Sequence, residues 1–404
     1  MILKVAWRNI WRSPLRSIIV LTSIVLGIWA GVFVISFSYG LNNQRVAEAI
    51  YSNISHVQIH NPKFEQEESV ANALPDVNAI RQVLDKHQTE IKSYSIRTVF
   101  NGMVQSASAA RGARVMGVNP QAEEAVSTIP QKLTGGDWFE TTKRNPLIIG
   151  KRLSEILNVK IGSKVVLTFQ DADNNIISAR FTVTGIYKSA NSKLDELIVY
   201  CNQQDIYTLI NGVLDQEVAV LTYETEQAVP LANSLSKELP NLSVKSWREI
   251  SPELSYSDEI LATSLMLIMS IIMLALMFGI INNMLMAILE RKHELGMLQA
   301  VGMNKQRIFG MIVLETLLIG LVAGPLGILL GAATTRYFSN TGIDLSIFGE
   351  GLESFGISTR IYPELDFSFM LIVGLMVVIM SLLASIYPAI KALRLNPVEA
   401  IRSI

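Results

Sequence analysis

Four long apolar runs constrain the fold of this chain more than any other feature of its sequence. Residues 17–44, 260–289 and 367–390 carry no charged side chain, and residues 308–335 carry only Glu315. Each run is longer than the roughly 20 apolar residues with which an α-helix crosses a bilayer. The mean hydropathy of +0.35 is also too high for an ordinary soluble protein. The sequence therefore predicts a membrane protein with four transmembrane helices.

Basic residues beside these runs predict the orientation of the helices. They lie before the first run, between the second and third, and after the fourth: Lys4, Arg8, Arg12, Arg16, Arg291, Lys292, Lys305, Arg307, Lys391, Arg394 and Arg402. Because such residues concentrate on the cytoplasmic side, both termini are expected in the cytoplasm. A cleaved signal peptide is the less favoured alternative, because the first run is longer than the apolar core of a signal sequence.

The resulting fold class is four transmembrane helices with a large extracytoplasmic α+β domain inserted between the first and second. The segments, in order, are a cytoplasmic amphipathic helix (1–16), transmembrane helix 1 (17–44), the outer domain with two lobes (45–258), transmembrane helix 2 (259–289), a cytoplasmic coupling helix (290–306), transmembrane helix 3 (307–335), an external loop (336–365), transmembrane helix 4 (366–390) and a cytoplasmic tail (391–404).

The leader has the pattern of an amphipathic helix at the membrane surface. Trp7 and Trp11 share one face, and Lys4, Arg8 and Arg12 share the other. Indoles prefer the headgroup level and cations prefer anionic lipid. Proline cannot continue a helix without losing a hydrogen bond, so Pro14 is expected to end this one. Two roles remain open, a generic anchor and an elbow that ties the first span to a cytoplasmic partner.

The outer domain alternates short strand-like and helix-like segments, which predicts an α+β or α/β fold. Asn101-Gly102 between two strand-like segments is typical of a hairpin turn. His56 and His60 lie on one predicted strand, and we expect a solvent-facing pair rather than a metal site. Cys201 is the only cysteine, so no internal disulfide is possible.

Motifs for enzyme chemistry are absent from the sequence. Gly150-Lys151 resembles part of a phosphate-binding loop, but Arg152 stands where serine or threonine is required and Asn145 where the first glycine is required. Acidic residues are scattered, and we expect them to be unpaired. The net charge of −1 argues against nucleic-acid binding. We therefore predict no catalytic, cofactor or metal site.

A charged segment between the second and third apolar runs is the strongest candidate for a functional site. It must lie at a membrane surface, where a soluble partner can push on it. The predicted coupling residues are Glu290, Arg291, Glu294, Leu295, Gly296, Leu298, Ala300 and Gly302. Glu294 is expected to anchor the partner electrostatically and Gly296 to let it approach closely. The alternative is a tight charged loop without a partner.

Small residues within the apolar runs predict close helix packing. The candidates are Gly27, Gly31, Gly320, Gly324, Gly327 and Gly331, and glycine at such spacing lets two helix backbones approach. Pro325 can kink the third span between them. Glu315 lies about two turns inside the same span, where we expect it to pair locally and to be structural.

Several motifs together resemble the FtsX/MacB-like permeases, the type VII ABC transporters. They are Glu290-Arg-x-x-Glu294-Leu-Gly296-x-x-x-Ala300-Val-Gly302 in the charged segment, Ala6-x-Arg8-Asn9-Ile10-x-Arg12 at the start, Ile148-Ile149-Gly150-x-x-Leu153 in the outer domain, and Tyr387-Pro388-Ala389 with Asn396-Pro397-x-Glu399-Ala400-Ile401-Arg402 at the end. The resemblance covers the outer domain, both ends and all four spans. Gln299 departs from it, because the family often carries a basic residue there.

The resemblance implies a non-enzymatic permease subunit of a bacterial inner membrane with a periplasmic domain. It implies a homo- or heterodimer with a second permease protomer and a separate ABC ATPase subunit, which would bind the ATP and magnesium. It also implies mechanotransmission, in which the outer domain moves with ATP binding instead of cargo passing through a lumen. Further partners are membrane lipid and a lipoprotein cargo or a periplasmic adaptor, with no nucleic acid.

Three functions are compatible with this resemblance. ATP-driven release of lipoproteins from the inner membrane is favoured, because the chain carries no fused ATPase. The first alternative is MacB-like efflux of peptides, toxins or drugs through an adaptor and an outer-membrane channel. The second is an FtsX-like regulator of cell-wall hydrolases that transports nothing. The loop 336–365 is either an ordinary connector or a segment lying on the outer leaflet beside the exit path.

Overall fold

The structure is a computed structural model that describes residues 2–139 and 144–394. The chain divides into two compact units. The first, here the membrane unit, contains the chain through Asn42, Asp258–Asp344 and the chain from Arg360 onward. The second, here the sheet unit, contains Asn43–Ser257 and Leu345–Thr359.

Helices dominate the membrane unit and are interspersed with strands in the sheet unit. The α-helices are α1 (Ile2–Ile10), α2 (Pro14–Ala49), α3 (Val77–Lys86), α4 (Pro120–Val126), α5 (Lys151–Leu157), α6 (Ser192–Leu197), α7 (Gln203–Ile210), α8 (Ala228–Glu238), α9 (Trp247–Ile250), α10 (Pro252–Glu290), α11 (Lys292–Ala300), α12 (Lys305–Thr341), α13 (Gly349–Ser354) and α14 (Phe367–Leu393). A π-helical turn, Ile50–Ile54, continues α2, and short 3-10 turns cover Ile129–Lys132, Thr225–Gln227 and Ser346–Phe348.

Among the described residues the chain has twelve strands, ten of which form one mixed sheet in the sheet unit. The strands are β1 (Val57–His60), β2 (Ile91–Gln105), β3 (Ala110–Val118), β4 (Leu133–Gly136), β5 (Pro146–Gly150), β6 (Lys164–Gln170), β7 (Ile176–Tyr187), β8 (Ile198–Asn202), β9 (Glu217–Thr222), β10 (Ser243–Ser246), β11 (Ile343–Asp344) and β12 (Arg360–Ile361). The first ten have the order β10-β1-β9-β2-β3-β8-β5-β7-β4, with β6 pairing to β2 and β7. β11 and β12 form a separate two-stranded ladder.

Within the described residues, four helices are long and apolar enough to cross a membrane: α2, α10, α12 and α14. Between α2 and α10 lies the large domain of mixed helices and strands. The predicted fold class is therefore confirmed. The helices are longer than the apolar runs, since α2 continues to Ala49 and α10 already begins at Pro252. Proline suits a first helical turn, where its missing N–H is not needed.

The leader helix ends earlier than expected, and the prediction that Pro14 ends it is wrong. α1 stops at Ile10, and Pro14 is instead the first residue of α2. Proline has no backbone N–H. A helix interior needs that donor, but the first turn of a helix does not, so Pro14 can begin α2. Between the two helices the chain turns, with the Arg12 N–H donating to the Asn9 carbonyl.

The predicted packing glycines lie where helices of the membrane unit approach one another. A Cβ added to Gly27 would lie 2.7 Å from Leu276 of α10, and Gly31 similarly faces Met269. On α12, Gly320 and Gly324 face α14 at Ser381 and Val377, while Gly327 and Gly331 face α2 at Ile28 and Val32. At Gly320, Gly327 and Gly331 these separations leave no room for a Cβ, whereas at Gly27, Gly31 and Gly324 the facing side chain would have to shift.

Leucine at Gly327 should therefore separate α2 from α12. A Cβ there would lie 2.7 Å from the Cβ of Ile28, and overpacking of this kind costs about 1–3 kcal/mol. We expect Gly327→Leu to lower the unfolding temperature of the purified full chain in detergent. Gly279→Leu is the matched control, because Gly279 on α10 has open space within 4 Å. Equal unfolding temperatures for both variants would contradict this packing.

The two predicted lobes share one sheet. The 15-residue strand β2 pairs with β9 over its first half and with β3 and β6 over its second. Separate hydrophobic clusters pack against the two ends of the sheet, one around Leu231 and Trp247 and another around Leu153 and Phe181. The hydrophobic core of the sheet unit is thus divided into separate clusters, whereas the strands of the two predicted lobes form one continuous sheet.

The predicted hairpin turn at Asn101-Gly102 is wrong, because both residues lie inside β2. They pair with Arg114 and Ala113 of β3, and the chain turns only at Ser106–Ala109. There the Ser106 N–H donates to the Ala109 carbonyl at 2.8 Å. The other edge of β2 pairs with β6. A turn at Asn101-Gly102 would therefore remove the pairing of β2 with both β3 and β6.

His56 and His60 do not form a solvent-facing pair, because both are buried. β1 lies between β9 and β10, so this strand has neighbours on both edges, and all its residues are buried. The His56 Nδ1 accepts a hydrogen bond from the Thr222 N–H at 3.0 Å. The His60 ring stacks on Phe64 with centroids 5.2 Å apart.

Acid should weaken the sheet unit through His56. Burial is the main reason that the pKa of His56 falls to about 4 from its usual 6.5. Because the folded pKa is depressed, the unfolded chain binds more protons between pH 6.5 and pH 4, and stability falls as pH falls through that window. At pH 5 the loss is about 2 kcal/mol relative to pH 7.5. Chemical unfolding of the full chain at both pH values measures it. The His56→Gln variant should lose this part of the acid dependence, and an unchanged dependence would contradict the assignment.

The expectation that acidic residues are unpaired is also wrong. The buried Arg97 guanidinium of β2 donates to both carboxylate oxygens of Glu123, at 2.7 and 2.9 Å, and to Glu217 at 2.7 Å. Burial raises the pKa of Glu217, but the positive charges of Arg97, His60 and Arg114 together outweigh it, and the pKa lies below its ordinary value. The partners lie 26 and 120 residues from Arg97 in sequence, which hides the pairing from sequence patterns.

Candidate coupling site

The charged segment between α10 and α12 folds as a short helix with a defined turn at each end. α10 ends at Glu290, and α11 covers nine residues, fewer than the predicted 290–306. α11 closes with Gly302 at φ +88°, a conformation that favours glycine. Asn304 then caps α12 by accepting from the Gln306 N–H at 3.0 Å.

One face of α11 is buried within the membrane unit. Leu295 is 4% exposed and belongs to the hydrophobic cluster of the transmembrane helices. Gly296 is buried beside it. Gly296 therefore packs within its own chain, and its predicted role in letting a partner approach closely stays a prediction. A bulky residue there is expected to disturb the packing of α11.

A buried polar cluster joins α11 to α1 and α12. The Arg291 guanidinium donates to Glu315 at 3.0 Å and to the backbone carbonyl of Asn9 at 2.6 Å. The Asn9 side-chain amide donates to the same Glu315 carboxylate. Glu315 is 6% exposed, so a charged partner is needed to hold it there. Glu315 thus pairs locally, and the pairing joins three different segments of the chain.

Two more exposed ion pairs connect the leader to the coupling segment. Arg12 donates to Glu294 at 2.6 Å, and Arg16 pairs with Glu290. Such exposed pairs stabilise by at most about 1 kcal/mol each. Glu294 therefore already has a partner inside the chain, and any external group that binds it competes with Arg12. This link is consistent with the leader as an elbow, one of its two predicted roles.

The outward face of the coupling segment is apolar. Met297 and Leu298 are exposed, and Val301 is 88% exposed. Ala300 and Gly302 are also exposed. Beside them lies a cleft of about 450 Å³ whose walls include Val5, Leu295, Leu298 and Val301.

Met297 and Val301 are functional candidates that the sequence motif did not single out, because its charged residues dominate the segment. Their spacing of four residues is the signal that could have revealed a shared face.

The end of the chain also contacts this site. Gln299, the residue that departs from the family pattern, donates to the backbone carbonyl of Ala392 on α14 at 3.4 Å. Tyr387-Pro388-Ala389 lies inside α14. The remaining part of the C-terminal motif, 396–402, lies outside the described residues.

Metal-binding geometry is absent from residues 2–139 and 144–394. No group of three or more His, Cys, Asp or Glu side chains there is arranged to hold a metal ion. Cys201 is buried, and burial raises the pKa of its thiol far above the ordinary value. The arrangement at the coupling segment offers docking chemistry: an exposed apolar face beside charged groups.

Comparisons with known proteins identify two family models that match this chain. A model of the MacB-like periplasmic core domain matches residues 17–237, more than half of the chain, and a model of the FtsX-like permease C-terminal region matches residues 266–397. The chain is 24% identical to the lipoprotein-releasing system transmembrane protein LolC of Xylella fastidiosa, over 72% of this chain and 73% of that protein. It is 24% identical to LolE of Haemophilus influenzae, over 97% and 96%. The crystal structure of the periplasmic region of MacB from Actinobacillus actinomycetemcomitans matches 51% of this chain and 94% of that one, with 13% identity and a TM-score of 0.34.

Proposed function

This chain belongs to the FtsX-like ABC transporter permeases with a MacB-like periplasmic core domain, the type VII family, and from that membership we propose that it releases lipoproteins from the inner membrane of a bacterium. In this proposal two permease protomers form a dimer and a separate ABC ATPase binds ATP and magnesium. Hydrolysis moves the periplasmic domains by mechanotransmission. The permease itself carries out no catalysis.

The apolar face of the coupling segment is the observation that carries the coupling part of the proposal. Met297, Leu298 and Val301 are exposed at a position that the positive-inside rule assigns to the cytoplasm. Exposed apolar groups surrounded by charges are typical of protein interfaces. The buried Arg291–Glu315 pair anchors this face to α12, so a push on α11 is passed to the transmembrane helices.

The apolar character of the four spans favours a lipid-anchored cargo. Three of the four apolar runs contain no charge and the fourth contains Glu315, which is paired. A hydrophilic solute would need polar groups along its route. A lipoprotein has its polar part outside and needs force only to withdraw its acyl chains, at about 0.8 kcal/mol per methylene. The relatives named as lipoprotein-releasing proteins support this cargo.

Release from liposomes tests the cargo. The permease and its ATPase are reconstituted with a triacylated lipoprotein, and a soluble lipoprotein acceptor is added. We expect ATP to transfer the lipoprotein to the acceptor. A transmembrane-anchored version of the same protein is the control, and it should stay in the membrane. If ATP releases no lipoprotein while a soluble peptide stimulates hydrolysis and is transported, MacB-like efflux replaces this proposal.

A charge at Val301 tests the coupling face. Val301 is 88% exposed, so Val301→Asp should leave folding of the permease intact while placing a charge in the apolar contact with the ATPase. Loss of an interface hot spot costs at least about 2 kcal/mol, or roughly 30-fold in affinity. ATPase binding to the detergent-solubilised permease measures the effect. Val213→Asp in the sheet unit, at a residue that is 70% exposed, is the matched control. Equal ATPase affinity of both variants would exclude Val301 from the interface.

A further inference from the structure

The connection between α12 and α14 contains a segment that packs with the sheet unit. Residues Leu345–Thr359 have their contacts in that unit, whereas the residues on both sides, Asp344 and Arg360, belong to the membrane unit. The segment contains a 3-10 turn and α13. We name residues Leu345–Thr359 the strap.

The two ends of the strap are hydrogen-bonded to each other. β11 and β12 pair Ile343 with Ile361 and Asp344 with Arg360, just outside the strap. The first and last strap residues continue this ladder, because the Leu345 N–H donates to the Thr359 carbonyl at 2.8 Å. The chain that leaves α12 is therefore hydrogen-bonded to the chain that enters α14. This short ladder holds the two ends of the strap together.

The strap is attached to the start of α6. Lys188 forms an ion pair with Glu353 of the strap at 2.6 Å, and the Ser192 hydroxyl donates to the Glu353 carbonyl at 3.4 Å. Gly356 lies against Asn191, and a Cβ at Gly356 would lie 3.6 Å from the Asn191 Cβ. Asn191 in turn caps α6 by accepting from the Lys193 N–H at 3.1 Å.

From α6 the contacts continue into the main sheet. The buried Asp195 of α6 accepts hydrogen bonds from the Ser189 N–H at 3.0 Å and its hydroxyl at 2.7 Å. The Asp195 backbone is so close to Gly150, the last residue of β5, that a Cβ at Gly150 would collide with it. β5 lies within the ten-stranded sheet between β8 and β7. A force on the strap thus reaches α6 through partly exposed contacts and the interior of the sheet through buried ones.

We propose that the strap is a mechanical link that transmits displacement of α12 and α14 to the sheet unit, and that it stays attached throughout the transport cycle. The inference rests on the proposed function in one respect, because it requires ATP-driven movement. The strap would give the movement a second covalent route into the sheet unit, from α12 and α14. The first route is from α2 and α10, which are continuous in sequence with the sheet unit.

A disulfide tests whether the strap stays attached. The Cβ separation of 3.6 Å between positions 191 and 356 falls within the range of about 3.5–4.5 Å found in disulfides. A cysteine at Gly356 is strained by its φ of +72°, so the reduced form of the same double variant is the reference. Asn191→Cys and Gly356→Cys are combined in a Cys201→Ala background, which removes the native thiol. We expect the oxidised variant to hydrolyse ATP and release lipoprotein within about twofold of the same protein reduced with dithiothreitol. Inhibition that the reductant reverses would show that the strap must detach, and would overturn the proposal.

Charge reversal tests whether the strap transmits movement. A nitroxide at Ile176→Cys, a position that is 73% exposed, is introduced into both protomers of the dimer in the Cys201→Ala background. The distance between the two nitroxides is measured before and after ATP is trapped with vanadate. Lys188→Glu and Glu353→Lys should each reduce the ATP-driven distance change at least about twofold. The double variant, which restores the pair with opposite polarity, should recover it.

A second ion pair supplies the matched control. Lys245 and Glu65 also lie 2.6 Å apart in the sheet unit with similar exposure, and Lys245 belongs to β10, the first strand in the order of the sheet. Lys245→Glu should leave the distance change intact. If the unmodified permease moves and both strap variants move equally well, transmission through the strap is excluded while the proposed function stands. If ATP moves none of the proteins, the proposed function fails and the role of the strap fails with it.

Discussion

Replacing Glu315 with leucine is expected to destabilise the membrane unit by about 3–5 kcal/mol, because it leaves the Arg291 charge without its partner. Arg291 is 20% exposed and donates to Glu315 at 3.0 Å. The Asn9 amide loses its acceptor as well. Thermal unfolding of the full permease in detergent, followed by tryptophan fluorescence, measures the loss. Trp7 and Trp11 lie two residues from Asn9 in sequence, on α1 and in the turn that follows it.

The control removes both charges. Arg291→Met with Glu315→Leu leaves no unpaired ion, and should recover most of the lost stability. Glu315→Gln should have an intermediate effect, since an amide oxygen still accepts from Asn9 and Arg291. If Glu315→Leu alone unfolds at the temperature of the unmodified permease, the cluster does not hold α1, α11 and α12 together.

Replacing Arg97 with methionine is the second large expected effect, again about 3–5 kcal/mol but in the sheet unit. The change leaves Glu123 and Glu217, each at most 1% exposed, without the guanidinium that joins them. Glu217 then has only its longer contacts with Arg114 and His60, both at 3.8 Å. Cys201 reports the result in the full chain, because its thiol is fully buried and reacts only when the sheet unit opens. The labelling rate of Cys201 should rise by a factor of about 10² to 10⁴ if opening is in rapid equilibrium.

Two further variants are the controls for Arg97→Met. Lys245→Met also removes one member of an ion pair, but this pair is exposed, so its cost should stay below about 1 kcal/mol. Arg97→Met combined with Glu123→Gln and Glu217→Gln removes the unpaired charges and should slow labelling again. Unchanged labelling of Cys201 in Arg97→Met would mean that the buried network does not stabilise the sheet.

Local requirements explain which features the sequence predicted well. A membrane span must satisfy its backbone internally and remain apolar for about 20 residues, so α2, α10, α12 and α14 are visible in composition alone. Helix caps are equally local, since Asp76 and Asn202 cap α3 and α7 by accepting from N–H groups two or three residues further on. The family motifs are also runs of neighbouring residues, so the membership of the chain can be recognised from its sequence alone.

By itself, then, the sequence determined the four spans, the inserted domain and the charged segment between α10 and α12. Only the tertiary structure decided the partner of each polar group. Arg12 meets Glu294 across 282 residues, and Lys188 meets Glu353 across 165. It also decided that His56 is buried and that Asn101-Gly102 continues a strand. Periodicity reports which face of an element is apolar, but any cation can pair with any carboxylate. The choice among them depends on which distant segments the packed core brings within hydrogen-bond reach.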